Sequence, residues 1–210
     1  MKHLILIPLL LCLSGVLLAA DDPISAYLQE PSPAAFKLAA GHAAEAIQKN
    51  EAANRNKLYL AYIADLEASR LLDELVQTAD SLAAGERFML ANILLGKEDF
   101  ARAIEIYDSI NRDLPNWSCP WRHKGEASFR LQDYEAAVLA LEQAIATNTS
   151  HYDAYLWMAL ALKELGRYSA ALSNLDSAMQ LPLEAQTCED EGLSQEDVQR
   201  LYQELQLKVQ

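Results

Sequence analysis

The sequence predicts an all-α solenoid, and three observations carry that expectation. Related side chains recur at a step of 34 residues: Phe100, Tyr134 and Tyr168; Ala103, Ala137 and Ala171; Tyr107, Leu141 and Leu175; Ile110, Ala144 and Ala178. Each period holds two apolar segments of helical spacing, such as Trp121 to Leu131 and Tyr134 to Ala146, parted by the polar pair Gln132 and Asp133. Small residues, Gly125 and Ala137, stand where two antiparallel helices must approach closely. One hairpin of this size cannot bury its apolar face alone, so neighbours must stack into a continuous core.

The chain opens with Lys2 and His3, an apolar run from Leu4 to Leu18, and Ala19-Ala20 before Asp21. A positive start, an apolar stretch and small residues predict a signal peptide over residues 1–20, removed on export to the periplasm or cell exterior. The run is short for a spanning helix and is interrupted by Pro8 and Gly15, so no integral membrane segment is expected after removal. The mature chain then carries 16 basic against 30 acidic side chains, a net charge of −14 that repels phosphate backbones and argues against nucleic acid as a partner.

Residues 21–83 show no 34-residue register and predict an N-terminal helical hairpin. Ser32 reads as an N-cap with Pro33 at the first helical position, and Phe36, Ala39, Ala43 and Ile47 form the apolar stripe that follows. After a polar break at Asn50 to Asn56, a helix of some 25 residues uses Leu58, Tyr62, Leu66, Leu72, Val76 and Ala79 and ends near Gly85. The hairpin is read as a cap on the first repeat, with a coiled-coil dimerisation arm as the alternative. Three repeats are placed at 84–117, 118–151 and 152–185. Residues 186–210 give an acidic loop and a last helix starting at Ser194, with Val198, Leu201, Tyr202 and Leu205 on one stripe, suited to capping the array.

At these residues the chain resembles the tetratricopeptide repeat family, whose unit reads W-x2-L-G-x2-Y, then A-x3-F, then a closing Pro. Trp121, Gly125, Ala137 and Leu141 match in the second unit; Leu90, Ala91, Leu94, Ala103, Tyr107 and Pro115 in the first; Tyr155, Ala159, Leu162, Ala171 and Leu175 in the third. Arg87, Lys124 and Ser128 depart from it, and Pro182 comes one place early. The resemblance implies a right-handed α-solenoid and a partner groove formed by the first helices. It places Phe88, Asn92 and Leu95, then Arg122, Glu126 and Arg130, then Leu156, Leu160 and Lys163 in that groove. The family's clamp for a terminal carboxylate would find only Asn92 and Arg122 here, because Glu126 and Leu160 stand where Asn and Arg are needed.

Motifs of catalysis are missing: there is no phosphate-binding Gly-rich loop, no His-Glu-x-x-His and no Gly-x-Ser-x-Gly. Cys119 and His123 lie four apart on a predicted helix, but two ligands do not make a metal site. Asn116 and Asn148 open glycosylation-type sequons and are assigned to turns. Cys119 and Cys188, the two cysteines left after export, belong to one edge of the solenoid and are a possible disulfide; Cys119 as a small helix-start residue is the alternative. The expectation is a non-catalytic protein-protein interaction scaffold of the bacterial cell envelope, without cofactor, that takes a protein or peptide ligand. An envelope assembly factor or chaperone is the alternative, and an enzyme of unrecognised type stands behind both.

Overall fold

The computed structural model describes residues 22–50, 53–182 and 194–209, and these are all-helical with connecting turns. The chain divides into two compact units at Gln77/Thr78. No helix among the described residues is long and apolar enough to cross a membrane.

The described residues of the first unit form three helices where the sequence suggested two over residues 21–83: α1 (Pro23–Gln29), α2 (Pro33–Gln48) and α3 (Ala53–Gln77). The additional helix is seven residues long and is set by local chemistry, with Asp22 Oδ1 accepting from the Ile24 amide at 2.8 Å and Pro23 opening the first turn. Ser32 caps α2 as expected, its hydroxyl accepting from the Ala35 amide at 3.2 Å. Ile24, Tyr27, Ala39, Ala43 and Ile63 form the core, with Phe36, Tyr59 and Leu66 packed against it. Leu58, expected on the buried stripe of α3, is 73% exposed, and Ile63 is the buried residue instead. The helix also ends earlier than expected, at Gln77, and a 3-10 turn follows over Ala79–Ser81.

The second unit is the repeat array. Its first helices are α4 (Ala84–Gly96), α6 (Ser118–Arg130) and α8 (Tyr152–Glu164); its second helices are α5 (Phe100–Asp113), α7 (Tyr134–Thr147) and α9 (Tyr168–Gln180). Each helix pairs with its successor, and α6 also meets both α4 and α8. The recurring residues are the core: Ala103, Ala137, Ala171, Tyr107, Leu141, Leu175, Ile110, Ala144 and Ala178 are each 0% exposed.

The turn inside each hairpin recurs as well. Glu98, Gln132 and Gly166, one period apart, adopt φ of 61°, 63° and 71°. Each time, the next amide reaches back five residues, as Asp99 to Leu94, Asp133 to Ser128 and Arg167 to Leu162. This is the Schellman closure of an α-helix, which satisfies the last carbonyls and turns the chain into the second helix. Asp99 and Asp133 then cap α5 and α7, accepting from the amides of Arg102 and Ala136.

The array ends in α10 (Gln195–Val209), packed on α9. Ser194 and Asp197 form a reciprocal cap, each side chain accepting from the other's amide at 3.2 Å. Val198, Leu201 and Leu205 join the same core as Leu175 and Ala178, so this helix covers the apolar face of the last hairpin. The acidic loop expected before it lies outside the described residues.

Candidate functional site

Helices α4 and α6 are successive first helices, and the space between them is a cavity of about 440 Å³. Four residues placed in the groove from the sequence line it: Asn92 and Leu95 from α4, Glu126 and Arg130 from α6. Phe100, Glu98, Gly96 and His123 complete the lining.

The polar groups of the cavity are held from behind. Tyr107, fully buried, donates its hydroxyl to Asn92 Oδ1 at 2.7 Å, which leaves the amide nitrogen as the hydrogen-bond donor offered to a ligand. Glu126 Oε2 accepts from Arg122 at 2.7 Å, and its other oxygen lies 3.7 Å from the Arg130 guanidinium. Arg130 is half exposed and sits 5.7 Å from the centre of the Trp157 ring. His123 is stacked on Tyr107 at 5.8 Å, meets Phe88 edge-on at 5.2 Å, and has Nε2 at 2.8 Å from an Arg122 nitrogen. Leu95 and Phe100 add apolar surface, so the cavity combines an amide donor, a mixed-charge side and an apolar side.

The other groove residues stand elsewhere. Phe88 is half-buried against Trp117, ring centres 4.8 Å apart. Arg122 is 5% exposed and braces the cavity wall through Glu126 and His123. Leu156 is 3% exposed and belongs to the core, with Leu160 packed against the same cluster. Lys163 Nζ lies 3.1 Å from Glu204 of the capping helix. Cys119 is half-buried at the start of α6, and Cys188 lies outside the described residues together with the proposed pairing.

Sequence reasoning overlooked Phe100 and His123 as lining residues. Phe100 was legible as a repeat position, and its exposure at the hairpin turn follows from the Schellman closure beside it. His123 carried no signal of its own, since its counterparts one period away are Met89 and Trp157. His151, the N-cap residue of α8, is half-buried; burial and then the nearby Arg122 charge hold its ring below the ordinary histidine range, with Asp153 opposing them. Among the described residues no three His, Cys, Asp or Glu side chains gather as a metal site would need.

A family model of the tetratricopeptide repeat matches residues 128–182. No curated protein matches the sequence. Among solved structures, the chain is similar to the TPR domain of Sgt2 from Aspergillus fumigatus, with TM-score 0.51 and 17% identity over 60% of this chain and 78% of that one. It is similar to the TPR2B domain of yeast Sti1 in its pHsp70 complex, with TM-score 0.52 and 21% identity over 60% of this chain and 97% of that one. It is also similar to the first TPR of Spaghetti (RPAP3) bound to the HSP90 peptide SRMEEVD, with TM-score 0.51 and 18% identity over 60% and 92%. At these identities the likeness is one of fold.

Proposed function

We propose, from the premise that this chain belongs to the tetratricopeptide repeat family, that it is a non-catalytic interaction scaffold holding an apolar or amphipathic segment of a protein partner between α4 and α6. The observation that carries this reading is the fixed Asn92 amide. Its oxygen accepts from Tyr107 and the residue lines the cavity beside the apolar surface of Leu95 and Phe100, so the amide N–H groups are what it has left to donate to a peptide carbonyl.

The neighbouring structures include one bound to the acidic peptide SRMEEVD. Here the cavity is lined by Glu98 and Glu126 as well as Arg130; Arg130 lies 3.7 Å from Glu126, and the buried Arg122 already answers Glu126. A terminal carboxylate would enter beside like charge, so the reading is of a segment that brings apolar side chains and no acidic end. The proposed setting is the bacterial envelope, a reading that rests on the signal peptide expected from the sequence at residues 1–20. N-terminal sequencing of the fractionated protein tests that part: a chain starting at Asp21 is expected, and one retaining Met1 in the cytoplasmic fraction would remove it.

The binding test is affinity capture from the native host with the wild type and with Asn92→Ala and Arg130→Glu, each checked for an unchanged helical spectrum. The expected outcome is that both variants lose the same partner. If both retain every partner of the wild type, the cavity is not the site.

A further inference from the structure

We propose that the cleft between α7 and α9 is a second docking site, which takes an arginine flanked by apolar side chains on a protein partner. It goes beyond the groove reading above and shares no residue with that cavity.

The cleft has a volume of about 410 Å³ and is lined by α7, α8 and α9. Met158 and Leu162 of α8 give it an apolar floor, and Val138 and Ile145 an apolar wall on the α7 side. Ala146 of α7 and Ala170 of α9 also line it; both are exposed, and neither has the bulk to close it. The starts of α7 and α9 are tied together by a forked ion pair, in which Arg167 donates to both oxygens of Glu135 at 3.1 and 2.7 Å. The two walls are thereby held before any ligand arrives, which lowers the ordering cost of binding.

Two polar side chains line the cleft, Glu142 from α7 and Asn174 from α9, and both are left as acceptors. Asn174 donates its amide nitrogen to the Ala170 carbonyl at 2.9 Å, so the amide oxygen is what it has left to accept with. Glu142 has no hydrogen bond or ion pair among the described residues.

The surrounding charge is of one sign. From Tyr134 to Gln180 the chain carries Glu135, Glu142, Asp153, Glu164 and Asp176 against Lys163 and Arg167, and neither α7 nor α9 holds a lysine or arginine. Both cations are engaged, Arg167 by Glu135 and Lys163 by Glu204 at 3.1 Å. On α10, which packs against α9, Arg200 pairs with Asp197, and Lys208 sits 5.7 Å from the centre of the Tyr168 ring. The cation that answers Glu142 is therefore one that a partner brings.

Arginine fits this combination. Its aliphatic stem lies along apolar surface, while its planar head carries a permanent charge and five donors for a carboxylate and an amide oxygen. Leu139, 63% exposed and one turn before Glu142, extends the apolar surface beside the site and suits an apolar neighbour of that arginine.

The experiment titrates the isotope-labelled full chain by NMR with a short capped peptide that holds one arginine between leucines. A second peptide replaces the arginine by citrulline, which keeps the shape and removes the charge. The expected result is a set of amide shifts confined to α7 and α9 around Glu142 and Asn174. Citrulline and Glu142→Gln should each weaken binding about five-fold, the effect of one partly exposed ion pair. Ala170→Phe, which fills the cleft from an exposed position and leaves the charges alone, should abolish binding. Shifts that scatter over the acidic surface or settle between α4 and α6 overturn the proposal, as does an affinity unchanged by Glu142→Gln. A change in sedimentation caused by Ala170→Phe overturns it too, since a second copy of the chain would then be covering the cleft. If Ala170→Phe does not fold, the citrulline peptide and Glu142→Gln decide. The variants that test the α4–α6 groove lie outside this cleft, so the two readings fail separately.

Discussion

Gly125 lies so close to Leu141 that a Cβ added to it would stand 2.5 Å from the leucine Cγ and 2.8 Å from Cδ2. The contact closes the second hairpin, where α6 crosses α7. Leu141 is fully buried and its Cγ is near the root of the side chain, so the leucine cannot simply bend away. Gly125→Ala is expected to destabilise by about 1–3 kcal/mol, despite the better helix propensity of alanine. Denaturant unfolding of the variant checks it, and a midpoint equal to or above that of the wild type would show that the crossing has slack.

The three hairpin turns give a prediction of opposite sign. Gln132 holds φ of 63° where Gly166 does the same work without a side chain. Gln132→Gly should stabilise the chain by about 1 kcal/mol, and Gly166→Gln should cost a similar amount. The turns are a full repeat apart, so the two changes combined should nearly cancel. Thermal melts of the two single variants and the double variant read all three values.

The capping helix offers a test of the array's end. Leu205 is fully buried in the core shared with Leu175 and Ala178. Leu205→Ala is expected to cost about 2–5 kcal/mol. Hydrogen exchange should show protection lost first in α9 and α10, because each hairpin leans on its neighbours. A uniform loss across all helices would instead mean that the unit unfolds as one.

In the first unit, Tyr27 donates to Glu67 Oε2 at 3.1 Å, and Arg70 grips both oxygens of the same carboxylate at 3.0 and 2.7 Å. Burial and then Glu67 push the Tyr27 hydroxyl up to about 12, while the Arg70 guanidinium holds Glu67 below the usual carboxylate range. A tyrosine with a raised value contributes stability that is present below its unfolded value of about 10 and is lost as pH climbs toward about 12. A depressed carboxylate contributes stability that is lost as pH falls below about 4.3. Tyr27→Phe should therefore cost about 1 kcal/mol at neutral pH and flatten the alkaline decline between about pH 10 and 12. Denaturation midpoints at about pH 9 and about pH 11 measure this, and an unchanged alkaline decline in the variant would exclude the tyrosine as its source.

The sequence by itself determined the repeat frame. Its period located all six repeat helices, because the residues that recur are the ones buried within each hairpin, where the contacts are close in sequence and the same in every unit. It also placed the last helix, through the Ser194 cap and the stripe of Val198, Leu201 and Leu205. Outside the period it was weaker: α1 is too short to show periodicity, and the face of α3 was misjudged at Leu58.

Only the tertiary structure decided which groove residues are open. Phe88, Arg122 and Leu156 occupy the same place in their units, yet Phe88 is half-buried under Trp117, Arg122 is 5% exposed beneath its ion pair, and Leu156 is 3% exposed in the core. The reason is that α6 is packed against α4 on one side and α8 on the other, so the exposure of a residue depends on side chains a whole repeat away that are free to differ. The buried Glu67 makes the same point in part: Arg70, three residues on, grips its carboxylate, but the Tyr27 hydroxyl that also donates to it comes from forty residues earlier in the chain. Periodicity fixes where a side chain points, and the neighbours that folding brings to it fix whether anything can reach it.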